Sequence, residues 1–126
     1  MMMTMPEHIL VIEDDKDLRD SLCDALRLEG YDVVAAEHGA AALNHLNTGA
    51  RPCVILLDLM MPVMDGWAFH RELAKDQTLA SIPVVVMTAA APARATAVDA
   101  STVLYKPLRM DTVVEVVQEH CPGGAP

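Results

Sequence analysis

The sequence predicts an α/β fold in which a five-stranded parallel sheet is covered by helices on both faces. Two observations support this prediction. Short apolar runs rich in Val, Ile and Leu alternate along the chain with longer stretches whose apolar residues recur at helical spacing. The short runs are continuously apolar rather than alternating, which is typical of parallel strands buried on both faces. Five such βα units joined by right-handed crossovers form a doubly wound sheet.

The five predicted strands share a short length and an apolar composition, and only the fifth is weak. They are His8–Ile12, Asp32–Ala36, Val54–Leu57, Pro83–Met87 and Thr102–Tyr105. The first predicted helix has apolar residues at helical spacing and stops at Gly30, and the last carries its apolar face on four valines. The predicted helices are Lys16–Glu29, Ala40–Asn47, Trp67–Lys75 and Met110–His120.

Composition and charge exclude several classes of protein. An apolar fraction of 52% with 21% charged residues is typical of a globular protein. No apolar run approaches the ~20 residues of a membrane helix, and the start MMMTMPEH lacks a basic segment before an apolar one, so a cytoplasmic location is predicted. The net charge of −9 argues against direct nucleic-acid binding. We expect one domain over residues 7–120, with a disordered segment 1–6 and a flexible tail 121–126.

The cysteines and histidines are not expected to form a site. Cys23, Cys53 and Cys121 are far apart, odd in number and without CxxC spacing, which predicts buried or incidental thiols rather than a disulfide framework or a zinc site. The five histidines occur singly and without HExxH spacing. Each is therefore predicted to be a surface or helix residue.

Polar residues follow four of the predicted strands. Since parallel strands end at the same edge of a sheet, and ligands of doubly wound sheets bind beyond that edge, these residues are expected to lie together. A carboxylate is costly in an apolar interior unless it is paired, so Asp58 is expected at a strand tip, where it faces other charged groups. The residues at these strand ends are Glu13, Asp14, Asp15, Asp58, Thr88, Lys106 and Pro107.

This set of side chains suits the transfer of a phosphoryl group. Neighbouring carboxylates repel one another and need a cation, and hard oxygen ligands favour Mg²⁺ over zinc. A Mg²⁺ site beside a lysine and a threonine is how proteins hold a phosphoryl group in transfer. Taken alone, Asp15 is more simply an N-cap and Lys106 a surface lysine. The joint placement after four strands is what indicates a site.

These residues resemble the motifs of the response-regulator receiver domain of two-component signalling. VIEDD is similar to the acidic pair of that family, DLMMPVMDG to its D-x-x-x-P-x-x-D-G segment, MTA to its Thr followed by a small residue, and YKP to its Lys-Pro. The resemblance spans about residues 7–120. It implies a flavodoxin-like (βα)5 fold with strand order 2-1-3-4-5.

The resemblance also implies a role for each site residue. Asp58 would be the phosphoacceptor, and Glu13, Asp14, Asp58 and the backbone carbonyl of Met60 would hold Mg²⁺. Thr88 would bind a phosphoryl oxygen, and Lys106 would form an ion pair with the phosphate. In the family, Pro62 and Gly66 shape the loop after the phosphoacceptor, and Pro107 follows a cis peptide bond.

The segment between Thr88 and Lys106 departs from the family pattern. Lys106 follows Thr88 by 18 residues, about one helical turn fewer than is usual. The shortening falls in the fourth helix of the family, of which a remnant is expected at Pro92–Val98. Asp99 stands where a glycine usually begins a Gly-Ala step.

The fifth strand departs from the family pattern as well. Val103 occupies the position at which receivers commonly carry a Tyr or Phe that turns inward on activation. Tyr105 is close by but is expected to point to the opposite face, and Leu108 replaces the usual Phe after Lys-Pro. The phosphorylation chemistry is expected to survive these changes, and the output surface is expected to differ.

Three functions are consistent with the residues. The first is a phosphorylation-dependent switch or phosphorelay carrier that receives its phosphoryl group from a histidine kinase or phosphotransfer protein. As no effector domain follows in the sequence, its output is expected through a downstream protein partner. The second is a phosphorylation-independent interaction module, favoured by the short fourth helix. The third, a small metal-dependent phosphohydrolase, is disfavoured because Asp58-Leu59-Met60 lacks the second acid of a D-x-D pair. The first predicts a signalling protein rather than an enzyme.

Overall fold

The computed structural model describes residues 8–95 and 100–122. Within these residues, the structure has five strands and six helices, with a helix after each strand and two helices between β3 and β4. In chain order they are β1 His8–Ile12, α1 Lys16–Leu28, β2 Asp32–Ala36, α2 Gly39–Asn47, β3 Val54–Asp58, α3 Gly66–Ala74, α4 Gln77–Ala80, β4 Val84–Thr88, α5 Pro92–Ala95, β5 Thr102–Tyr105 and α6 Met110–His120. The expectations for residues 1–6, for Asp99, for the end of the Pro92–Val98 remnant and for 123–126 fall outside the described residues.

The five strands form one parallel sheet in the order β2-β1-β3-β4-β5, which confirms the predicted fold class and strand order. Every residue of the three central strands is buried, whereas the edge strands β2 and β5 are partly exposed. This pattern explains why the central strands read as continuous apolar runs, since helices cover both of their faces.

Alternate residues of each strand supply two hydrophobic cores. On one face, Leu10 and Ile12 pack with Leu46 of α2 and Phe69 of α3. On the other face, neighbouring strand residues such as Val11 pack with the buried sides of α1 and α6. The side chains of successive strand residues point to opposite faces, so each central strand contributes to both layers.

The helix boundaries agree with the predicted ones to within about one residue. Asp15 caps α1, because its carboxylate accepts a hydrogen bond from the amide of Leu18 at 3.1 Å, which confirms the N-cap prediction. The short helix α4, capped by Asp76, was not predicted, because its four residues carry no periodic pattern. In the described part of the chain, no helix combines the length and the apolar character that crossing a membrane requires.

The expectation of buried or incidental thiols is wrong for two of the three cysteines. Cys53 and Cys121 form a disulfide with a Cα–Cα distance of 5.7 Å, and only Cys23 is free and buried. Cys121 is fully buried at the end of α6, so the predicted flexible tail does not begin at that residue. The two cysteines are 68 residues apart. They meet because the segment before β3 and the end of α6 share one edge of the sheet, which sequence spacing does not reveal.

Candidate functional site

The ends of two neighbouring strands bring the acidic residues together. Glu13 follows β1 directly and Asp58 is the last residue of β3, and both side chains are buried, with Asp58 only 2% exposed. Asp14 is exposed beside them. Each of the three acids offers an oxygen within 4.8 Å of the oxygens of the other two. Asp58 thus lies at the strand tip, as predicted, and is buried there among charged groups.

Lys106 reaches this acidic cluster from the end of β5. Its Nζ lies 2.8 Å from Glu13 Oε1 and 3.5 Å from Asp58 Oδ2. Its amide donates a hydrogen bond of 2.9 Å to the carbonyl of Thr88, and the following Lys106–Pro107 peptide bond is cis, as the resemblance implied. Lys106 brings one positive charge to three carboxylates, so the cluster keeps an excess of negative charge.

The crowding changes the protonation of the cluster. Burial and the neighbouring Glu13 raise the pKa of Asp58 from 3.8 to about 8, against a smaller opposing effect of Lys106. For Lys106, burial lowers the pKa, but the hydrogen bond to Glu13 and the charge of Asp58 raise it to a greater extent. Burial acts to raise the pKa of Asp14, while its hydrogen bonds with Asp58 and Glu13 bring that pKa below its ordinary value. Asp58 therefore binds a proton more readily than an ordinary aspartate, and Asp14 binds one less readily.

The donor set fits a hard divalent cation. Carboxylate oxygens from Glu13, Asp14 and Asp58 converge, and Asp14 leaves the site open to water. Mg²⁺ prefers a few carboxylates with several retained waters. The amide of Met60 donates a hydrogen bond of 3.2 Å to Asp58 Oδ1, which holds the loop after β3 against this carboxylate.

Thr88 ends β4 next to the lysine. Its side chain is fully buried, and its Oγ1 accepts a hydrogen bond of 2.9 Å from the amide of Ala90. A hydroxyl that accepts in this way retains its own proton for donation. The structure thus gathers Glu13, Asp14, Asp58, Thr88 and Lys106, in agreement with their predicted convergence on one sheet edge.

The loop from β3 to α3 depends on a glycine. A Cβ at Gly66 would lie 2.6 Å from both the carbonyl oxygen of Asp58 and the Cα of Leu59, which is closer than real Cβ contacts allow. The Gly66 amide also donates a 2.9 Å hydrogen bond to the carbonyl of Leu59. Gly66 therefore lets the loop turn back against the strand end. Val63, at the exposed tip of this loop, has a φ of 68°, which is uncommon for a β-branched residue.

The residues of β5 correct one prediction. Val103 packs on the core that contains Phe69, and Leu104 packs on the opposite core. Since side chains alternate along a strand, Tyr105 projects on the same side as Val103. The prediction that Tyr105 points to the opposite face is therefore wrong: residues two apart share a face. Tyr105 is 45% exposed.

Two further contacts around the site were not predicted. Arg19 of α1 donates hydrogen bonds to the carbonyls of Glu13 at 2.9 Å and Asp14 at 3.3 Å, and so supports the backbone of the acidic pair. Trp67 donates from Nε1 to the carbonyl of Arg94 at 3.1 Å, and the Arg94 guanidinium lies 4.4 Å from the centre of the Trp67 ring. For Arg19 the available signal is its position one turn into α1, close in sequence to the acidic pair. The link between α3 and α5 has no sequence signal.

Comparison with known proteins agrees with this geometry. The family model described as the response regulator receiver domain matches residues 9–118. The chain is 41% identical over 85 residues to the response regulator MprA of Mycobacterium sp. (strain KMS), covering 68% of this chain and 36% of that protein. It is 35% identical over 121 residues to the regulatory protein AtoC of Escherichia coli (strain K12), covering 92% and 25%. The chain thus spans about a third or less of the length of these curated relatives.

Solved structures show the same fold. The chemotaxis protein CheY4 of Vibrio cholerae superposes with a TM-score of 0.82 at 28% identity, covering 92% of this chain and 99% of that one. The receiver domain of a signal transduction histidine kinase from Syntrophus aciditrophicus gives a TM-score of 0.84 at 29% identity, with 93% and 91% coverage. With the family model matching most of its length, the chain belongs to the response regulator receiver domain family.

Proposed function

We propose that this receiver domain accepts a phosphoryl group on Asp58 from a histidine kinase or a histidine phosphotransfer protein and signals by binding another protein. The observation that supports the proposal is the arrangement around Asp58. This buried carboxylate at the tip of β3 lies 3.5 Å from Lys106 and beside the acids Glu13 and Asp14. The proposed domain spans residues 7–120. Its proposed location is the cytoplasm, because the phosphoryl group of the donor would come from ATP.

Asp58 would act as the nucleophile. An ionised Asp58 oxygen forms a bond to phosphorus while the phosphorus–nitrogen bond of the donor phosphohistidine breaks, and the freed imidazole nitrogen takes up a proton. The buried position of Asp58 limits competing attack by water. Glu13, Asp14, Asp58 and the Met60 carbonyl would hold Mg²⁺, which when bound offsets the negative charge that gathers on the transferred oxygens.

Lys106 and Thr88 would hold the transferred group. Lys106 is shared between Glu13 and Asp58, so its ammonium can turn to a phosphoryl oxygen without moving far. The Thr88 hydroxyl retains a proton that it can donate to a second phosphoryl oxygen. Both groups act by position and charge rather than by covalent chemistry.

The signal would leave through the loop after Thr88. Val103 is small and has no aromatic ring, so activation cannot be signalled by a ring turning inward at this position. The segment from Thr88 to α5 is joined to α3 by the Trp67–Arg94 contacts. A phosphoryl group shifts a conformational equilibrium only through contacts that differ between the two states. Here those contacts would involve Thr88, its neighbour Ala90 and α5, rather than Tyr105.

Phosphorylation by small donors tests this proposal. Treatment with acetyl phosphate and Mg²⁺ should add one phosphoryl group to the wild type and none to Asp58→Ala, as measured by intact mass. Beryllofluoride with Mg²⁺ should change hydrogen exchange around Asp58–Gly66 and in Thr88–Val98. It should also change the fluorescence of Trp67, the single tryptophan of the chain. A change confined to Tyr105 would leave phosphorylation standing and contradict the proposed route.

A second candidate is a phosphorylation-independent interaction module. The observation that favours it is the short segment from Thr88 to Lys106, which spans 18 residues and leaves about one turn less for the usual output helix of a receiver. If no donor phosphorylates Asp58 while a partner protein still binds, the module replaces the switch. A panel of histidine kinases and phosphotransfer proteins, each tested against wild type and Asp58→Ala, distinguishes the two.

A further inference from the structure

Two histidines meet at the edge of the sheet opposite the acidic cluster. His8 is the first residue of β1 and is buried, and His45 is half-buried in the last turn of α2. Their Nε2 atoms are 3.0 Å apart, and their rings are nearly perpendicular, with centroids 5.2 Å apart. The two residues are 37 positions apart in the chain, and neither takes part in the proposed phosphoryl chemistry.

The backbone around the pair is held in place. The amide of Cys53 donates a 2.9 Å hydrogen bond to the carbonyl of His8, and Cys53 is itself joined to the end of α6 by the disulfide. On the other side, the guanidinium of Arg51 donates to the carbonyl of Leu46 in the last turn of α2 and to that of Ala50 just beyond the helix. The two imidazoles therefore project from anchored segments, so little ordering is left to be done when they bind a ligand.

The spacing of the two nitrogens matches that of ligands on one metal ion. A metal–imidazole bond is about 2.0–2.1 Å, so two such nitrogens lie roughly 2.9–3.4 Å apart at bond angles from about 90° to tetrahedral. In the hydrogen-bonded pair, the Nε2–H of one ring points to the lone pair of the other. If the donor ring moves its proton from Nε2 to Nδ1 through water, both Nε2 lone pairs become free with no net release of protons from two neutral rings, and a rotation of each imidazole away from the N–N line directs both at one ion.

We propose that His8 and His45 form a second cation site, specific for borderline divalent transition metals such as Zn²⁺ or Ni²⁺, with water completing the coordination. Nitrogen donors favour these ions, whereas the oxygen donors at Asp58 favour Mg²⁺. The two edges of the sheet thus select different cations. A metal at the histidine pair would join the start of β1 to the end of α2 and stabilise both.

Zn²⁺ titration of the ¹⁵N-labelled, disulfide-intact protein tests the site. One equivalent of Zn²⁺ should shift the Nε2 resonances of His8 and His45 together. His45→Gln should weaken Zn²⁺ binding at least about 10-fold, whereas the matched control His120→Gln should leave the affinity unchanged. Mg²⁺ at the acidic cluster should change the fluorescence of Trp67, because Trp67 lies in the first turn of α3 just after the loop from Asp58, and this response should be the same in His45→Gln and wild type. Asp14→Asn should retain the Zn²⁺ shifts of the histidine pair.

The opposite results overturn the proposal. Equal Zn²⁺ affinity in wild type and His45→Gln, or shifts confined to other histidines or to the acidic cluster, would make the pair a hydrogen-bonded packing contact only. If His45→Gln fails to fold, the wild-type ring resonances decide, because a pair that stays unshifted at one equivalent is not a site. Failure of this site would not affect the proposed phosphorylation of Asp58, since the two tests use different residues and ions.

Discussion

The two edges of the sheet differ in how their buried polar groups are paired. At the carboxyl edge, Glu13 and Asp58 are buried with a single lysine between them, and negative charge is left over. At the amino edge, the polar groups are paired: His8 with His45 by a hydrogen bond, and Cys53 with Cys121 by a covalent bond. One edge keeps a repulsion that a bound cation would relieve, and the other edge joins distant segments of the chain.

This difference follows from charge rather than from burial. Among the described residues, every buried side-chain nitrogen or oxygen has a hydrogen-bond partner, so both edges satisfy their hydrogen bonds. Like charges are a separate cost, because neighbouring carboxylates repel one another even when each is hydrogen-bonded. A site that must bind a cation benefits from that repulsion, since binding relieves it.

The largest expected effect is the loss of the disulfide at the amino edge. Cys53→Ser should lower the free energy of unfolding by about 4 kcal/mol, because the bond closes a loop over a sequence separation of 68 residues and so restricts the unfolded chain. Denaturant midpoints of the untreated and the reduced protein measure the contribution of the disulfide to the free energy of unfolding. The Mg²⁺ response of Trp67 should be kept, since the bond lies at the other edge.

A thiol titration provides the control for this effect. The untreated, denatured protein should show one thiol, that of Cys23, and the reduced protein should show three. Cys23→Ser should keep the dependence of stability on reducing agent. Three thiols in the untreated protein would contradict the disulfide. Such a bond is uncommon in reducing compartments, so the count also bears on the proposed location.

The next largest effect compares one glycine at each edge, Gly66 at the carboxyl edge and Gly49 at the amino edge. Gly66→Ala should cost about 2 kcal/mol, because its Cβ would collide with backbone atoms of Asp58 and Leu59, and it should weaken the Mg²⁺ response. Gly49→Ala meets no neighbouring atom but has a φ of 95°, so it should cost about 1 kcal/mol from backbone strain alone. Chemical denaturation with and without Mg²⁺ measures both. An unchanged Mg²⁺ response in Gly66→Ala would show that the loop does not position Asp58.

A smaller effect concerns pH at the carboxyl edge. Burial and Glu13 raise the pKa of Asp58 to about 8, so the folded state holds a proton that the unfolded chain releases near 3.8. The stability from this proton is complete below pH 3.8 and is lost as the pH rises through about 8. In EDTA, wild type should lose roughly 1–2 kcal/mol between pH 6.5 and 8.5, and Asp58→Asn should not. A flat wild-type profile would contradict the raised pKa.

The smallest effect has the opposite sign and belongs to the amino edge. Burial and the neighbouring His8 lower the pKa of His45, so the folded state binds this proton less readily than the unfolded chain does. The contribution of His45 to stability should therefore rise as the pH increases toward 6.5, by less than about 1 kcal/mol because His45 is partly exposed. It is measured as the difference between the pH profiles of wild type and His45→Gln, and His45→Gln should keep the fall in stability that Asp58 causes. If one variant removed both slopes, the two edges would not be independent.

Local patterns in the sequence were sufficient for most of the fold and for the acidic cluster. Continuous apolar runs predicted the strands, and residues at the strand ends predicted the convergence of Glu13, Asp58 and Lys106, because parallel strands end at one edge. Arg19 was missed because it contacts the backbone of the acidic pair and not a charge that a motif would contain. Tyr105 shares its face with Val103, because residues two apart in a strand project to the same side.

Periodicity and strand direction were enough to predict most elements of this protein and the edge at which its charged residues meet. The contacts at the other edge depend on how the whole chain folds. His8 meets His45 and Cys53 meets Cys121 there, across 37 and 68 positions. Segments that enter a parallel sheet come from separate crossovers, so their neighbours depend on strand order and helix packing rather than on spacing along the chain.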